Sequence, residues 1–218
     1  MNQNQEIGSM FSRIAKRYNL ANDLLSLGIH RRWKKKALKI LQYQRGEKLL
    51  DLCCGTGDFL KVQKSGIGID LSFQMLREAQ KRISNSLVCG DGENLPLKNH
   101  SIKKIIIGFG IRNIPHVPKA LSEMYRVLTP GGRMVILEFS KPRRLFFSKI
   151  YFFYLNKILP RLGGWISHDS EAYHYLAKTV GAFPDGEEFL NLMRKEKFKN
   201  IKMERLHLGI ASIYSGEK

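Results

Sequence analysis

Short apolar segments alternate with segments of helical period along the middle of the chain, and this alternation limits the fold more than any other feature of the sequence. The apolar segments, each a candidate strand, cover residues 48–52, 66–70, 87–89, 102–109 and 134–139. Helical patterns cover residues 58–64, 72–82 and 117–128. Strands that alternate with helices form βαβ units, in which helices cover both faces of a parallel sheet. The sequence therefore predicts an α/β fold.

The two ends of the chain depart from this alternation. Residues 9–43 have helical patterns that are interrupted at Gly28, and a basic helix is expected from residue 31 to about residue 42. Residues 199–206 and 209–214 have the pattern of two strands with no room for a helix between them. Strands joined so closely are antiparallel. We therefore expect a helical extension before the sheet and an antiparallel strand at its end.

The chain carries a large positive charge, and that charge is unevenly distributed. The 37 Lys and Arg residues exceed the 19 Asp and Glu residues, which gives a formal net charge of +18. Residues 1–50 contain 11 basic and 3 acidic side chains, and residues 141–166 contain 6 basic and no acidic ones. With 43% hydrophobic residues the chain is not a disordered polyelectrolyte. The charge favours an anionic partner, either a nucleic acid or a membrane surface.

Other classes of protein are excluded by what the sequence lacks. Its three cysteines, Cys53, Cys54 and Cys89, do not form a disulfide framework or a zinc-binding spacing. The first residues have no apolar core of a signal peptide. The longest uncharged apolar runs are far short of the roughly 20 residues that span a bilayer. We expect a cytoplasmic protein with reduced thiols and no metal, either soluble or peripheral to a membrane.

A glycine-containing loop, residues 51–57 (DLCCGTG), follows the first predicted strand. Doubly wound sheets bind ligands at this end of their strands. Gly55 and Gly57 allow the backbone to approach a ligand closely, because no Cβ intervenes. The loop lacks the third glycine of the GxGxxG motif and the lysine of a P-loop. It suits a ligand with an amino-acid part and a nucleoside part better than a pyrophosphate.

Two acidic residues follow the next two strands. Asp70 ends the second strand, where a carboxylate can accept both hydroxyls of a ribose. Asp91 follows the third strand and could bind the exocyclic amine of an adenine, while the N–H of Gly92 could reach a ring nitrogen. Alone, Asp70 could be an acid at a helix N-terminus near Ser72, and residues 91–92 could be an ordinary turn. Together with the glycine loop they indicate a nucleoside ligand.

Several longer runs have the sequence of a known family. The distinctive runs are residues 108–114 (GFGIRNI) and 137–142 (LEFSKP). Further matches are Ser12, Ile14, Ala15, Tyr18, residues 22–23, residues 28–34 (GIHRRWK), Tyr173, Tyr175, Leu176, Phe183 and Pro184. From about residue 11 to residue 216 the chain resembles the C-methyltransferases of menaquinone and ubiquinone biosynthesis, which are class I S-adenosylmethionine-dependent methyltransferases.

The resemblance implies a three-layer Rossmann-like domain with a seven-stranded, mostly parallel sheet whose last strand is antiparallel. It implies one domain over residues 1–218. We divide it into a helical extension (1–45), a cofactor-binding core (46–140), a helical insertion on the substrate side (141–198) and the C-terminal strands (199–218).

The resemblance also implies that S-adenosylmethionine is the cofactor. Thr56, Asp70, Asp91 and Gly92 fall on the cofactor positions of the family. Gly108 falls where many members have a serine that faces the cofactor, so only backbone groups can serve there. The full set of predicted cofactor residues is Tyr18, Gly55, Thr56, Gly57, Asp70, Asp91, Gly92 and Gly108.

The implied substrate is the ring carbon beside a hydroxyl of a demethylated isoprenoid quinol, either 2-demethylmenaquinol or a ubiquinone precursor. Such a carbon becomes nucleophilic when the hydroxyl loses its proton. Arg112 could stabilise the phenolate or orient a water, Asn113 could bind a quinol oxygen, and Tyr173 could cover the ring. The alternatives are a surface ion pair for Arg112 and helix packing for Tyr173. His30, His116, His168 and His174 could titrate near neutral pH, but a single histidine is more often structural.

Residues 141–166 form a basic aromatic segment with six basic residues and seven aromatic ones. This composition is typical of helices that lie in a membrane interface, where a polyprenyl quinol is dissolved. Alternatively, its apolar side covers the substrate site or forms a homodimer face.

Two other functions use the same cofactor site. A nucleic-acid methyltransferase would agree with the charge, but the sequence lacks the Asn/Asp-Pro-Pro-Tyr/Phe element that binds a planar amino group. We therefore expect no nucleic-acid partner. A non-catalytic assembly partner would bind the cofactor without turnover.

Overall fold

The computed structural model describes residues 3–26, 28–44, 46–63, 66–162 and 169–218. Its central element is a seven-stranded sheet with the strand order β3-β2-β1-β4-β5-β7-β6. The strands are β1 (Leu49–Leu52), β2 (Ile67–Asp70), β3 (Ser86–Cys89), β4 (Ile102–Gly108), β5 (Leu128–Phe139), β6 (Lys199–Leu206) and β7 (Ala211–Glu217). Only β7 runs against its neighbours, since it pairs antiparallel with both β5 and β6. The predicted α/β fold with one antiparallel strand is confirmed.

Helices flank the sheet and precede it. They are α1 (Gln3–Ile14), α2 (Tyr18–Leu25), α3 (Ile29–Leu41), α4 (Asp58–Gln63), α5 (Phe73–Gln80), α6 (Val117–Val127), α7 (Leu145–Phe153), α8 (Ser170–Ala182) and α9 (Glu187–Lys195). A π-helical turn, Tyr154–Ile158, continues α7. The Ser72 hydroxyl caps α5 by accepting a hydrogen bond from the N–H of Met75, as the sequence predicts. The division of the chain at residues 45, 140 and 198 stays a prediction.

The two faces of the sheet bury alternate residues of each central strand. Ile105 and Ile107 of β4 pack in one apolar cluster with residues of α6 and α9, whereas Ile106 packs in a second cluster with Trp33 of α3. All three isoleucines are fully buried. Because side chains of a strand point alternately to opposite faces, a continuous apolar run such as β4 requires helices on both sides. The layers follow directly from this requirement.

A third apolar cluster joins the two helical regions at the ends of the sequence. Met10 of α1 and Met75 of α5 pack there with Tyr151 of α7 and Tyr173 of α8. Helices before and after the central strands are therefore adjacent, and they enclose space next to the sheet.

The boundary between α6 and β5 differs from the prediction. The sequence predicts a helix over residues 117–128 that stops at residues 130–132, and a strand that begins at residue 134. Instead α6 ends at Val127 and β5 begins at Leu128, which pairs with Ile102 of β4. The register then shifts before Arg133 pairs with Lys104. Thr129 to Gly132 thus form an irregular stretch inside the strand. Because polar and apolar residues do not alternate in this stretch, the sequence pattern does not predict the first part of the strand.

The ends of β1 and β4 form the point where the strand order reverses. Cys53 and Phe109 directly follow these strands, and both have left-handed backbone conformations, with φ of 55° and 59°. A Cβ on Gly110 would lie 2.4 Å from the Cβ of Cys53, so the two loops touch. In open α/β sheets this crevice is the ligand site.

Gly68 of β2 offers a test of this packing. A Cβ there would lie 2.7 Å from Leu87 and 2.9 Å from Cys54 and Leu60. We expect Gly68→Ala to lower the free energy of unfolding by about 1–3 kcal/mol, because overpacking forces neighbours to shift. Gly181→Ala is the matched control, since the nearest atom to its Cβ would be 3.9 Å away. Unfolding in urea is followed by circular dichroism, and we expect no loss of stability in Gly181→Ala, since alanine favours a helix. A wild-type midpoint for Gly68→Ala would contradict the packing.

Candidate active site

Two adjoining cavities lie at the carboxyl ends of the strands and among the helices. The first, which we call the strand-end cavity, has a volume of about 680 Å³ and is lined by residues that follow β1, β2, β3 and β4, together with residues of α1. The second, the helical cavity, has a volume of about 690 Å³ and lies between α1, α2, α3 and α8. Phe11, Tyr18 and Phe109 line both cavities. The two cavities therefore meet at these three aromatic side chains.

Six of the eight predicted cofactor residues line the strand-end cavity, namely Tyr18, Gly55, Asp70, Asp91, Gly92 and Gly108. Thr56 instead lines a smaller neighbouring cavity of about 330 Å³, and its hydroxyl donates to Oδ1 of Asn19 at 2.8 Å. Gly57 is not among the lining residues. It has φ of 78°, and a Cβ on it would lie 2.6 Å from Cδ1 of Ile83, so backbone conformation and packing require this glycine.

The carboxylate of Asp70 joins the glycine loop to the start of α5. Its Oδ2 accepts the N–H of Gly55 at 2.7 Å, and its Oδ1 accepts the N–H of Ser72 at 2.9 Å. Burial raises the pKa of Asp70, and these backbone N–H groups oppose the rise. Each oxygen can accept a further hydrogen bond. Asp70 therefore binds the backbone at the start of α5, which was the alternative interpretation of this residue, and it also lines the strand-end cavity.

The residues after β3 and β4 approach one another across the cavity. Oδ1 of Asp91 accepts the N–H of Glu93 at 2.9 Å, which forms a tight turn. A Cβ on Gly92 would lie 2.8 Å from Ile114, and a Cβ on Gly108 would lie 2.6 Å from the ring of Phe59. The place of a side chain at residue 108 is therefore occupied by Phe59, which explains why glycine stands there.

Two buried acceptor groups near these cavities have no hydrogen-bond partner among the described residues: the carboxylate of Asp51 and Oδ1 of Asn113. Asp51 lines the same small cavity as Lys34, and burial raises its pKa well above the usual range. Asn113 lines the strand-end cavity and not the helical one. Both groups are acceptors, so a ligand with N–H donors would satisfy them. Asp51 belongs to the predicted glycine-containing loop, but no sequence pattern predicts a role for it.

Arg112 lines the helical cavity and forms a buried ion pair. Its Nη1 donates to Oε1 of Glu138 at 2.8 Å and to the carbonyl of Phe109 at 2.6 Å. The side chains of Arg112 and Glu138 are 6% and 0% exposed, so the alternative of a surface ion pair is wrong. Burial raises the pKa of Glu138, and the guanidinium of Arg112 opposes this rise. Nε of Arg112 is buried and has no hydrogen-bond partner within the described residues.

Tyr173 both packs in the third apolar cluster and lines the helical cavity, so the two interpretations of this residue are compatible. The histidines are separated by the fold. His30 lines the helical cavity. His116 has a 75% exposed side chain that contacts Glu93, and His174 lines neither of the two cavities. His168 lies outside the described residues.

Two further features of the site, the position of Phe109 and a cluster of charged side chains, were not predicted from the sequence. Phe109 separates the cavities, and nothing in its local sequence indicates the left-handed backbone that turns its ring inward. The second feature is a charge cluster beside the glycine loop. Burial acts to raise the pKa of Asp58, but the neighbouring cations of Lys34 and Arg82 outweigh burial and lower this pKa to about 2. The signal was a carboxylate directly after the glycines, which marks a helix N-terminus.

Known structures share this fold. The structure of a SAM-dependent methyltransferase from Thermotoga maritima matches with a TM-score of 0.72 and 24% identity over 96% of this chain and 99% of that one. Phosphoethanolamine N-methyltransferase 2 of Haemonchus contortus, solved in complex with S-adenosyl-L-methionine, matches with a TM-score of 0.64 and 15% identity, over 86% of this chain and 52% of that one. These likenesses agree with the predicted fold.

Sequence relatives are closer. A protein of Geotalea daltonii is named ubiquinone/menaquinone biosynthesis C-methyltransferase UbiE. It is 41% identical to this chain over an alignment of 228 positions, which covers 98% of this chain and 97% of the relative. The protein of the same name from Methylococcus capsulatus is 37% identical over 226 residues, which cover 97% of this chain and 91% of the relative. The model of the ubiE/COQ5 methyltransferase family matches residues 1–218. The predicted resemblance is thereby confirmed, and the chain belongs to the ubiE/COQ5 methyltransferase family.

Proposed function

We propose that this methyltransferase transfers the methyl group of S-adenosylmethionine to a ring carbon of a demethylated isoprenoid quinol, either 2-demethylmenaquinol or a ubiquinone precursor. The observation that carries the proposal is the junction of the two cavities at Phe11, Tyr18 and Phe109. A sulfonium in the strand-end cavity and an aromatic ring in the helical cavity would meet at this junction.

The groups along the strand-end cavity complement S-adenosylmethionine. Asp70 and Asp91 both line this cavity, and in our proposal Asp70 accepts the ribose hydroxyls and Asp91 the adenine amine. The unpartnered oxygens of Asn113 in this cavity, and of Asp51 in the small neighbouring cavity, would be satisfied by donors, which the ammonium and amine groups of this cofactor have. When bound, the cofactor supplies a methyl carbon that is already activated by the positive sulfur. The task of the protein is then to align that carbon with a nucleophile and to exclude water.

The helical cavity suits a quinol ring. Its walls are largely aromatic and aliphatic, and Arg112 adds a fixed positive charge. A cation beside the quinol oxygen stabilises the phenolate that forms as the ring carbon becomes nucleophilic. Because Glu138 and the carbonyl of Phe109 fix the guanidinium, Arg112 needs no rearrangement during the reaction.

We further propose that the insertion binds the membrane that contains the substrate. In the described part of the chain no helix is long and apolar enough to cross a membrane. One side of α7 and its continuation is buried, through Tyr151, Leu155 and Leu159. The same segment exposes the large apolar residues Leu145, Phe146, Ile150, Phe153, Ile158 and Leu162.

Basic residues accompany this apolar face. Arg143, Arg144 and Lys149 are exposed and have no carboxylate partner within the described residues. An apolar stripe with free cations beside it matches the interface of an anionic leaflet. A second copy of the chain is the alternative occupant of this face.

The reaction is tested with labelled S-adenosylmethionine and chemically reduced demethylated quinones of the menaquinone and ubiquinone series. We expect one labelled methyl group on a ring carbon and an equal amount of S-adenosylhomocysteine, both identified by mass spectrometry. Cofactor binding without any methylated quinone would contradict the proposed function.

Asp70 and Arg112 are expected to fail in different ways. Asp70→Asn removes the charged acceptor for the ribose and should weaken cofactor binding by on the order of 10- to 100-fold, measured by calorimetry. Arg112→Lys keeps a charge opposite Glu138 but loses the planar fork. We expect unchanged cofactor binding and turnover lowered by on the order of 100-fold. Each variant is the control for the other, and an equal loss of cofactor binding in both would show that the roles are not separated.

Membrane binding is tested by sedimentation with vesicles that contain phosphatidylglycerol. Neutralising Arg143, Arg144 and Lys149 with Gln should lower vesicle binding by up to about 100-fold at low salt, since each cation contributes roughly 1 kcal/mol. The matched control replaces Lys195, Lys199 and Lys202, which are also exposed. Equal losses in both triple variants would indicate a general charge effect. If the Arg143, Arg144 and Lys149 variant binds vesicles as the wild type does, and if Phe146→Ser converts a dimeric wild type into a monomer, the exposed apolar residues form a homodimer face instead.

A further inference from the structure

We propose that a cavity formed by the continuation of α7 and by α8 binds the phosphate group of a phospholipid headgroup. The cavity has a volume of about 560 Å³ and is lined by Asn156, Lys157, Pro160, Arg161 and His174. None of these five residues lines the strand-end cavity or the helical cavity. The inference rests on the proposed function, because it names the chemical group that the insertion would bind at the membrane.

The walls of this cavity carry hydrogen-bond donors and positive charge. Lys157 and Arg161 are four residues apart, which is about one helical turn, and the ring of His174 comes from the neighbouring helix α8. No carboxylate is among the described residues that line the cavity. Lysine and arginine are the side chains that bind phosphate groups in proteins, and the planar fork of arginine can donate two hydrogen bonds to one phosphate. The chemistry of the walls therefore favours a phosphate.

The basic side chains of the cavity are available to a ligand. Lys157, Arg161 and His174 are exposed, and within the described residues they have no hydrogen-bond or carboxylate partner. Glu171, the acidic residue of α8, lies one turn before His174 but accepts a hydrogen bond from Nη2 of Arg13 at 3.4 Å. Like charges around one cavity repel each other, and an anion that binds between them removes this repulsion.

An exposed apolar stripe leads to the cavity, and it identifies the phosphate as that of a lipid. Phe146, Ile150 and Phe153 are exposed and follow one another at spacings of four and three residues. Lys157 and Arg161 continue this series at spacings of four, so the apolar and the basic side chains occupy successive turns of the same helical segment. A free phosphate ion would contact only the cations. A phospholipid would also cover the stripe with its glycerol and the first part of its acyl chains.

The stripe has basic residues at both of its ends. Arg143 and Arg144 precede it, whereas Lys157 and Arg161 follow it and line the cavity. A helical segment with this pattern lies in the plane of a membrane interface, where the cations at each end reach headgroups. We therefore expect the first pair to contribute by charge alone and the second pair to bind one headgroup.

The proposal is tested with dihexanoyl phosphatidylglycerol below its micelle concentration, so that no lipid surface contributes. We expect this lipid to shift the NMR signals of the His174 ring. Lys157→Gln combined with Arg161→Gln should lower the affinity measured by calorimetry by about 10- to 30-fold. The matched control is Lys195→Gln with Lys199→Gln, which removes two exposed cations of α9 and β6 and should keep the wild-type affinity.

Two comparisons separate a lipid headgroup from a free phosphate. Phe153→Ser shortens the apolar stripe and should weaken binding of the lipid by on the order of 10-fold, while binding of glycerol phosphate should not change. If inorganic phosphate binds as tightly as the lipid, and Phe153→Ser has no effect, the ligand is a free phosphate and the lipid assignment is wrong. If the Lys157 and Arg161 variant binds the lipid as the wild type does, or if the control variant loses as much affinity, the cavity is not a phosphate site.

These outcomes are independent of methyl transfer. The Lys157 and Arg161 variant should methylate a short-tailed quinol in solution at the wild-type rate, because both residues lie outside the two cavities of the active site. A wild type that binds the lipid but methylates no quinol would overturn the proposed reaction and leave the phosphate site. A wild type that methylates quinols but does not bind the lipid would overturn the site alone. A dimer that dissociates in the same variant would assign the cavity to a contact between two copies of the chain.

Discussion

The buried ion pair between Arg112 and Glu138 determines how the two cavities are arranged. Glu138 lies at the end of β5, where its carboxylate accepts from the N–H groups of Phe139 and Arg112 as well as from the Arg112 guanidinium. Because Arg112 also donates to the carbonyl of Phe109, the turn after β4 is tied to the neighbouring strand. Removing one partner of such a pair leaves an uncompensated buried charge, at a cost of about 3–5 kcal/mol. The two most distinctive runs of the sequence therefore act as one structural unit.

This unit explains the unusual backbone beside it. Phe109 adopts φ of 59°, a conformation that costs a non-glycine residue energy and that persists only where surrounding contacts require it. Its N–H donates to the carbonyl of Leu137 at 2.7 Å, and its ring lies 4.5 Å from that of Phe139. The backbone strain is thus compensated by contacts with β5. The result is an aromatic side chain in the wall that the two cavities share, where a methyl group would have to pass.

The sequence predicts the features that depend on local patterns. Strand positions follow from apolar runs, and the cofactor residues after β1, β2 and β3 follow from glycine and aspartate at strand ends. Features that depend on distant partners could not be predicted. Gly57 is required by Ile83, and Asn113 faces the strand-end cavity because the short helical turn Ile111–Asn113 directs it there.

The same reasoning changes the interpretation of the positive charge. The sequence places most of the excess in two segments, and both were candidates for a membrane surface. In the structure, at least four of the eleven cations of the first segment have carboxylate partners, Lys36 with Glu204 among them. Arg31 pairs with Asp23, Lys34 with Asp58, and Arg13 with Asp169.

These pairs neutralise part of the N-terminal charge, and two of them, Arg31 with Asp23 and Lys34 with Asp58, influence the pKa values of His30 and Asp58. The cations at the start of the insertion, Arg143, Arg144 and Lys149, have no such partners within the described residues. They stand beside exposed Leu145 and Phe146, which are 81% and 79% accessible. Free charge and exposed apolar surface coincide in this segment, and the same segment packs through Tyr151 on the cluster that contains Tyr173. A partner that binds this segment would therefore also contact the helix that packs against Tyr173, which lines the helical cavity.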